Sequence, residues 1–464
     1  MSADHRSYDL AIVGSGGGAF AAAIAARQQD LSVVMIESGT LGGTCVNVGC
    51  IPSKALLAAA EARDRASQRR FPGIRTEAGS VDFDAVIAGK DEIVESLRQE
   101  KYADIASQHG IELLQSHASF VPGPALDVDG RHVAAEHYLV ATGARPAVPD
   151  VPGLASSGYL TSTTAMELRH LPGSMIVIGG GYVAMEQAQL FAHLGTQVTM
   201  LVRTALARRE ESEIAREIKH AFESDGIEVV ERAVVSAARR EDGRVVATAA
   251  GREYGADHLL VATGRVPRTQ GLGLEQVGVA VGSAREIIVD EQMRTTNERI
   301  WAAGDVTGHP QFVYVAARHG ALVVDNAFNG AARALDYKAL PRITFTNPTI
   351  ASAGLTEAEA KAEGIDAESR VLDLADVPRA IVSRNTRGLV KLVAERDSGR
   401  IVGVHMLADG AGDAILAGVY AIEAQRTVTD LATSWNPYLT IGEALHLAAQ
   451  SFTRDVRTLS CCAA

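Results

Sequence analysis

The chain has 464 residues, of which 47% are hydrophobic and 22% charged, and its 44 lysine and arginine residues against 56 aspartate and glutamate residues leave a net charge of -12. This length predicts about three domains, and the acidic balance argues against nonspecific nucleic-acid binding. Met1 to Leu10 lack the apolar core of a signal peptide, and no apolar run is long enough to span a bilayer, so we expect a cytoplasmic protein with no membrane partner.

The N-terminal segment predicts a dinucleotide-binding unit. Residues 8–13 form an apolar run typical of a buried parallel strand, and an alanine-rich helix follows. The turn between them carries Gly14, Gly16 and Ala19 in the pattern G-x-G-x-x-A, and the next strand ends in Glu37, about 20 residues on. Such glycines let backbone N–H groups approach a pyrophosphate at the helix N-terminus, and the carboxylate accepts a hydrogen bond from a ribose hydroxyl.

Residues 42–54 contain two of the chain's four cysteines, Cys45 and Cys50, ahead of a helix predicted at 55–70. Thiols at a helix N-terminus have a lowered pKa, which favours the reactive thiolate. In a cytosolic chain with so few cysteines, the pair Cys45 and Cys50 indicates redox or metal chemistry rather than a structural disulfide. We call these two residues the redox pair. The alternative for a pair at this spacing is two small buried cysteines beside a glycine turn.

Two further features precede a repeat of the first pattern. A second helix is predicted at about 84–109, and it carries Tyr102, which taken alone is an ordinary half-buried aromatic residue. A later strand begins near His137 and runs into the turn Thr142-Gly143, which closes this part of the chain.

A second dinucleotide pattern starts about 165 residues after the first, where Gly179 and Gly181 open a helix behind an apolar strand. The next strand ends in Arg203 rather than in an acid, and Arg208 and Arg209 follow closely. An arginine here suits a ribose 2′-phosphate and therefore favours NADPH over NADH. The alternative is a solvated basic turn.

The last third of the chain begins with a strand that ends in Gly304-Asp305 and a following alanine-rich helix. From Pro341 the composition changes to apolar or alternating runs separated by turns, which predict an antiparallel sheet. Helices are predicted at about 412–425, 427–433 and 440–450.

This order of motifs resembles the FAD-dependent pyridine nucleotide-disulfide oxidoreductases over essentially the whole chain. The resemblance implies an α/β fold of the glutathione reductase type, with two Rossmann-like dinucleotide-binding domains and a C-terminal α+β dimerisation domain. Members of that family are homodimers whose active site is shared between subunits. The implied domains are residues 1–150 and 271–335 for FAD, 151–270 for NAD(P)H, and 336–464 for the interface domain with its Cys-Cys tail.

The resemblance also implies roles for individual residues. NADPH would reduce FAD, and FAD would reduce a Cys45–Cys50 disulfide, with Cys50 nearer the flavin and Cys45 facing the substrate. FAD contacts are implied at Gly14, Gly16, Ala19, Glu37, Gly39, Thr44, Lys54, Ala118, Thr142, Gly143, Asp305 and Val313. Further cofactor contacts are implied at Gly179, Gly181, Glu186, Arg203, Arg209 and Gly264.

The C-terminal region distinguishes members of the family. Disulfide reductases carry a histidine–glutamate acid/base pair there, because departing and attacking thiolates must exchange protons. Here Glu443 is present, Tyr438 occupies the histidine's place, and His446 is displaced by nearly a turn, out of register for a substitute base. The tail dithiol, Cys461 and Cys462, suits a soft metal ion; the alternative is an incidental disordered tail.

A tail dithiol combined with the missing histidine resembles the mercuric reductases. By that resemblance the tail dithiol of one subunit captures Hg(II) and passes it to the redox pair of the other, where two electrons from reduced FAD yield Hg(0). Tyr102 and Tyr438 would line the site. The mercury ligands would be Cys45, Cys50, Cys461 and Cys462. Many mercuric reductases begin with a small metal-binding domain, whereas this sequence starts at the FAD strand, so small thiols or another protein are the expected mercury donors.

Three alternatives compete with this hypothesis. The first is an NAD(P)H-dependent reductase of lipoamide or glutathione disulfides with an unusual base, which the tyrosine and the tail dithiol disfavour. The second is a thioredoxin-type reductase whose tail dithiol passes electrons to a protein disulfide, and the sequence discriminates against it least. The third is a flavoprotein that sequesters Hg(II) or Cu(I) without turnover.

Overall fold

The computed structural model describes residues 7–458, which form two compact units. The first unit contains the described residues up to Ala55, then Asp84–Ala147 and Gly264–Leu335. The second contains Leu56–Phe83, Val148–Thr263 and the described residues from Asp336 onward. The chain therefore leaves the first unit and returns to it.

The helices lie in both units. In chain order the α-helices of the described residues are α1 Gly17–Arg27, α2 Gly43–Val48, α3 Cys50–Ser67, α4 Phe83–Arg98, α5 Asp104–Gln108, α6 Ser162–Ala165, α7 Tyr182–Leu194, α8 Ser212–Ser224, α9 Val313–Asn329, α10 Glu357–Ala362, α11 Pro378–Val382, α12 Ala411–Glu423, α13 Val428–Thr433 and α14 Glu443–Gln450. One π-helical turn, Gln99–Ala103, joins α4 to α5. The short 3-10 turns are Leu274–Val277, Gly304–Thr307, Leu374–Asp376 and Val456–Thr458. Between residues 7 and 458, none of these helices has the length and apolar character needed to cross a membrane.

The strands in chain order are β1 Ser7–Val13, β2 Val33–Glu37, β3 Glu112–Gln115, β4 Ala118–Val121, β5 Ala125–Val128, β6 Arg131–Val140, β7 Ala144–Pro146, β8 Leu160–Thr161, β9 Ser174–Ile178, β10 Gln197–Val202, β11 Glu228–Glu231, β12 Val235–Glu241, β13 Arg244–Ala249, β14 Arg252–Ala256, β15 His258–Val261, β16 Arg265–Pro267, β17 Ile300–Ala302, β18 Arg342–Thr344, β19 Thr349–Gly354, β20 Ala367–Asp373, β21 Leu389–Glu395 and β22 Ile401–Ala408. The strands next to the two glycine patterns pair into parallel sheets, and the remaining strands pair into antiparallel sheets.

A parallel sheet with strand order β3-β2-β1-β6-β17 forms the centre of the first unit. Both faces of β1 are covered: Leu10 and Ile12 pack with α1 and α9, whereas Ala11 and Val13 face the opposite side. This explains the continuous apolar run at the start of the sequence. The strand order reverses between β1 and β6, and the carboxyl ends of strands at such a point are where open α/β sheets bind ligands.

The second unit contains a parallel sheet β11-β10-β9-β15-β8 and a C-terminal antiparallel sheet β18-β19-β22-β21-β20. The predicted α/β architecture is confirmed: each of the two glycine patterns lies at a strand of a parallel sheet, and an antiparallel sheet follows residue 341. The sequence patterns do not predict the three-stranded sheet β12-β13-β14. The helix predicted at 55–70 begins earlier, at Cys50, and the helix predicted at 84–109 is interrupted by the π-helical turn.

Candidate active site and cofactor-binding sites

The loop after β1 is shaped for close approach of the backbone to a ligand. Gly14 has a φ of +106°, and a Cβ there would lie 2.5 Å from the carbonyl oxygen of Ala141, directly after β6. Gly16 caps α1 without a side chain, so the first N–H groups of this helix have no side-chain acceptor at their cap. Buried Ala19 lies within α1. A glycine cradle with exposed helix N–H groups fits the pyrophosphate of FAD.

Glu37 connects this loop to the segment that precedes the redox pair. One carboxylate oxygen accepts a hydrogen bond from the Ser15 hydroxyl at 2.6 Å, and the other accepts one from the Gly39 backbone N–H at 2.7 Å. Ser15 in turn accepts a hydrogen bond from the Gly42 N–H at 3.0 Å. The predicted ribose acceptor therefore also orients two loops.

The remaining residues predicted to contact FAD come from several elements of the first unit. Thr142 donates its hydroxyl hydrogen to the carbonyl of Arg268 at 2.6 Å, and Gly143 has a φ of +68°. Ala118 begins β4. Val313 begins α9, where its side chain would lie 3.1 Å from a Cβ placed on Gly17.

Asp305 lies in the 3-10 turn that follows β17. Its carboxylate is 3.5 Å from the Arg265 guanidinium, which also donates to the carbonyl of Ala144 at 2.7 Å. Burial raises the pKa of Asp305, and the neighbouring Arg265 opposes that shift. The turn thus presents an acid whose position is set by a cation from β16.

Cys45 lies within α2, directly after Thr44, and Cys50 is the first residue of α3. Both are thiols; Cys45 is partly buried and Cys50 is exposed. A hydrogen bond with the Cys50 side chain, together with burial and the charge of Cys50, raises the pKa of Cys45 far above its usual range, while Lys54 acts in the opposite direction. The lowered pKa expected from the helix N-terminus is therefore wrong for Cys45, because the second thiol outweighs that effect.

Gly43 brings the redox segment against the glycine loop. Its φ is +66°, and a Cβ there would lie 2.6 Å from the Cα of Gly16. The start of α2 and the start of α1 are therefore in backbone contact, which places the redox pair beside the predicted FAD loop.

Tyr102 lies in the π-helical turn and is half-buried. Its ring packs edge-on against Phe20 at 4.9 Å between centroids, and a Cβ on Gly42 would lie 3.2 Å from it. Burial, followed by the charges of Cys45 and Cys50, raises the pKa of Tyr102. The structure thus brings Tyr102 to the redox pair. Sequence reasoning missed the π-helical turn that positions it; such turns are frequent at functional sites.

The second unit carries the other dinucleotide-type loop. Gly179 has a φ of +141°, and a Cβ there would lie 2.3 Å from the carbonyl oxygen of Ala262. Gly181 caps α7, again without a side chain. Arg203 and Arg209 are exposed after β10. A glycine loop, an open helix N-terminus and exposed cations fit a phosphorylated dinucleotide.

Glu186 and Gly264, also predicted to contact a cofactor, lie outside the two glycine loops. Glu186 is buried in α7, and its carboxylate accepts a hydrogen bond from the Phe345 N–H at 2.9 Å. This bond gives Glu186 a role within the second unit that the motif alone does not indicate. Gly264 belongs to the first unit. Its φ is +127°, and no atom lies within 4 Å of the position of a Cβ there.

Tyr438, Glu443 and His446 lie in the C-terminal region, where the family carries its acid/base pair. Tyr438 is 48% exposed, whereas Glu443 is buried at the start of α14, accepts the Leu439 N–H at 3.2 Å and has its pKa raised by burial. Buried His446 contacts the carbonyl of Leu431 through Nδ1 at 3.1 Å and the side chain of Gln450 through Nε2 at 2.9 Å. Both ring nitrogens of His446 are therefore occupied. Cys461 and Cys462 lie outside the described residues.

The comparisons with known proteins agree with this geometry. The model of the pyridine nucleotide-disulphide oxidoreductase family matches residues 8–320, and the model of its dimerisation domain matches residues 340–449. The chain therefore belongs to the pyridine nucleotide-disulphide oxidoreductase family. As a member it is an oxidoreductase whose cofactors are FAD and a nicotinamide dinucleotide, as predicted.

Relatives within this family cover nearly the whole chain. Mercuric reductase from Streptomyces lividans is 57% identical over 99% of this chain and 99% of the relative. Mercuric reductase from Lysinibacillus sphaericus is 45% identical over 98% of this chain and 85% of the relative. The resemblance to mercuric reductases inferred from the sequence is thus confirmed.

Solved structures show the same fold. The Cu(II) complex of RclA from Escherichia coli, a HOCl-induced flavoprotein disulfide reductase, has a TM-score of 0.88 at 28% identity and covers 97% of this chain and 100% of its own. LpdA from Mycobacterium tuberculosis has a TM-score of 0.86 at 26% identity and covers 96% of this chain and 99% of its own.

Proposed function

We propose that this chain is an NADPH-dependent flavoprotein that reduces Hg(II) to Hg(0). The observation that carries the proposal is the acid/base position of the family: Tyr438 stands there, and His446 is held by Leu431 and Gln450. Reduction of an organic disulfide needs a proton donor for the departing thiolate, whereas reduction of thiolate-bound Hg(II) needs electrons. The 57% identity to a mercuric reductase supports the same function.

The chain's own residues would hold both cofactors. Gly14, Gly16 and Glu37 would bind the adenine and pyrophosphate end of FAD, and Gly179 with Arg203 would bind NADPH; the glycine conformations and the exposure of Arg203 support this assignment. Bound FAD supplies two-electron transfer between a nicotinamide and a dithiol.

The redox pair would bind Hg(II) as two thiolates, the soft ligands that such a cation prefers. The residues from 7 to 458 contain no cluster of three or more His, Cys, Asp or Glu side chains that could hold a metal ion. The raised pKa of Cys45 implies that this thiol releases its proton when the metal binds. Overall, dithiolate-bound Hg(II), NADPH and one proton yield Hg(0), NADP⁺ and two thiols.

Delivery of Hg(II) would use the tail dithiol, Cys461 and Cys462, of the partner subunit. The match to the dimerisation domain over residues 340–449 supports a homodimer. Small thiols, or a protein that carries mercury, would donate the ion to the tail by thiolate exchange.

A mercury-dependent NADPH oxidation assay tests this function. We expect the purified yellow protein to oxidise NADPH when Hg(II) is supplied with excess thiol, and to act on oxidised glutathione, lipoamide and thioredoxin far more slowly. The variant with Cys461→Ala and Cys462→Ala should keep its flavin and lose efficient turnover of thiol-bound mercury.

A disulfide reductase is the second candidate, because the solved structure of a flavoprotein disulfide reductase shares the fold. If all three disulfides are turned over faster than Hg(II), the mercury assignment is wrong. A matched variant, His446→Gln, should leave mercury turnover per folded protein unchanged; a large loss of disulfide turnover in this variant would identify His446 as the missing base.

A further inference from the structure

His319 lies in the first half of α9 and is fully buried. Its Nδ1 accepts a hydrogen bond from the backbone N–H of Gly304 at 3.1 Å. Gly304 opens the turn that carries Asp305, the acid predicted to contact FAD. None of the motifs identified in the sequence assigns a role to this histidine.

The Gly304–Asp305 turn is held on three sides. His319 accepts its N–H, the Thr307 hydroxyl donates to the Gly304 carbonyl at 2.8 Å, and the Arg265 guanidinium lies 3.5 Å from the Asp305 carboxylate. A buried backbone N–H without an acceptor is costly, so the His319 bond favours this particular orientation of the turn.

Helix α9 also supports the other FAD loop. A Cβ on Gly320 would lie 2.0 Å from the carbonyl oxygen of Gly18 in α1, so the two helices cross in backbone contact. Ala316, one turn before His319, lies 3.0 Å from the position of a Cβ on Gly304. Helix α9 therefore contacts both α1, the helix that follows the glycine loop, and the Gly304–Asp305 turn.

The chemistry of the bond requires a neutral imidazole. An imidazolium has N–H groups at both nitrogens and cannot accept a hydrogen bond. Burial lowers the pKa of His319 to about 4, and the nearby His309, whose ring lies 5.4 Å away, acts in the same direction. At neutral pH the ring is therefore an acceptor at Nδ1.

We propose that His319 is a positioning residue for FAD, which fixes the Gly304–Asp305 turn through its Nδ1 acceptor. The proposal rests on the proposed function only in that the chain binds FAD. It extends the set of cofactor-positioning residues to a side chain that is not among the predicted ligand contacts.

Two substitutions separate the acceptor from the volume of the ring. Asparagine places an amide oxygen close to the position of Nδ1, whereas leucine fills similar space without an acceptor. We expect His319→Leu to raise the dissociation constant of the flavin-free protein for FAD about tenfold, which corresponds to about 1.4 kcal/mol, because the buried Gly304 N–H loses its acceptor. We expect His319→Asn to remain within about threefold of wild type. The dissociation constant is measured by quenching of FAD fluorescence, and circular dichroism of the bound flavin reports its environment.

Controls distinguish the failure of this inference from other failures. His309→Asn changes the neighbouring imidazole and leaves the Gly304 bond intact, so it should bind FAD like wild type. If His319→Leu does not fold, His319→Gln replaces it, because its amide lies near Nε2 and should also weaken binding. Equal affinity of wild type and the Leu or Gln variant overturns the inference, as does an equal loss in the Asn variant. A wild-type protein that takes up no FAD would instead overturn the proposed function.

Discussion

Gly43 shows how much of the site is decided by single backbone positions. It has a left-handed φ of +66°, and it meets backbone atoms of Gly16 rather than a flexible side chain. Alanine there would be strained by its φ and would also push the redox segment away from the FAD loop.

We predict that Gly43→Ala lowers the free energy of unfolding by about 2–4 kcal/mol and weakens FAD binding, because strain and overpacking act together. Gly130→Ala is the matched control: its φ is +83°, but nothing lies within 4 Å of its Cβ position. That variant should lose only about 1 kcal/mol, the cost of the left-handed conformation alone. Denaturant unfolding and FAD titration measure both quantities. Equal losses in the two variants would show that the contact with Gly16 does not matter.

At the scale of elements, the π-helical turn and α9 do most to shape the predicted site. The π-helical turn Gln99–Ala103 inserts into an otherwise continuous helix and directs Tyr102 to the redox pair. Helix α9 packs on α1 and carries buried His319. Neither feature follows from helical periodicity, because both depend on what the helix packs against.

The pKa of His319 makes the stability of the first unit depend on pH. The folded value of about 4 lies below the ordinary value of 6.5, so the unfolded chain binds more protons between these values. The contribution is fully present above pH 6.5 and is lost as the pH falls through 4. We expect wild type to lose about 3 kcal/mol more than His319→Asn between pH 7 and pH 4 in denaturant unfolding. Parallel curves for the two proteins would show that His319 does not titrate in this way. Taking the difference removes the contributions of other histidines whose pKa is lowered, such as His137 and His405.

At the scale of the whole molecule, the proposed function requires two chains for one site. The redox pair lies in the first unit, the family's dimerisation domain covers residues 340–449, and the tail dithiol follows that domain in sequence. A subunit that receives mercury from its partner's tail should be complemented by a chain with the opposite defect.

We predict complementation between a chain that lacks the redox pair (Cys45→Ser, Cys50→Ser) and a chain that lacks the tail dithiol (Cys461→Ala, Cys462→Ala). Random re-association of equal amounts should restore about one quarter of the wild-type sites, because half of the dimers are mixed and each mixed dimer has one complete site. Mercury-dependent NADPH oxidation after mixing, unfolding and refolding measures the recovery. No recovery, despite mixed dimers detected by mass spectrometry, would show that the tail acts within its own chain.

The fold, the family and the resemblance to mercuric reductases all follow from the linear sequence. The signals are local: they include Gly14, Gly179, the apolar strand runs and the order of the motifs. Each predicts a backbone conformation from residues that are close in sequence. The same locality explains why the predicted helix ends are wrong by several residues, as at Cys50.

The chemical behaviour of the site residues depends on contacts that form when the chain folds. The raised pKa of Cys45 comes from its thiol neighbour and from burial, which outweigh the effect expected at a helix N-terminus. Both ring nitrogens of His446 are engaged by Leu431 and Gln450, and His319 acquires a role through Gly304. Hydrogen-bond partners and desolvation are set by groups that folding brings within a few ångströms, and a linear motif does not contain that information.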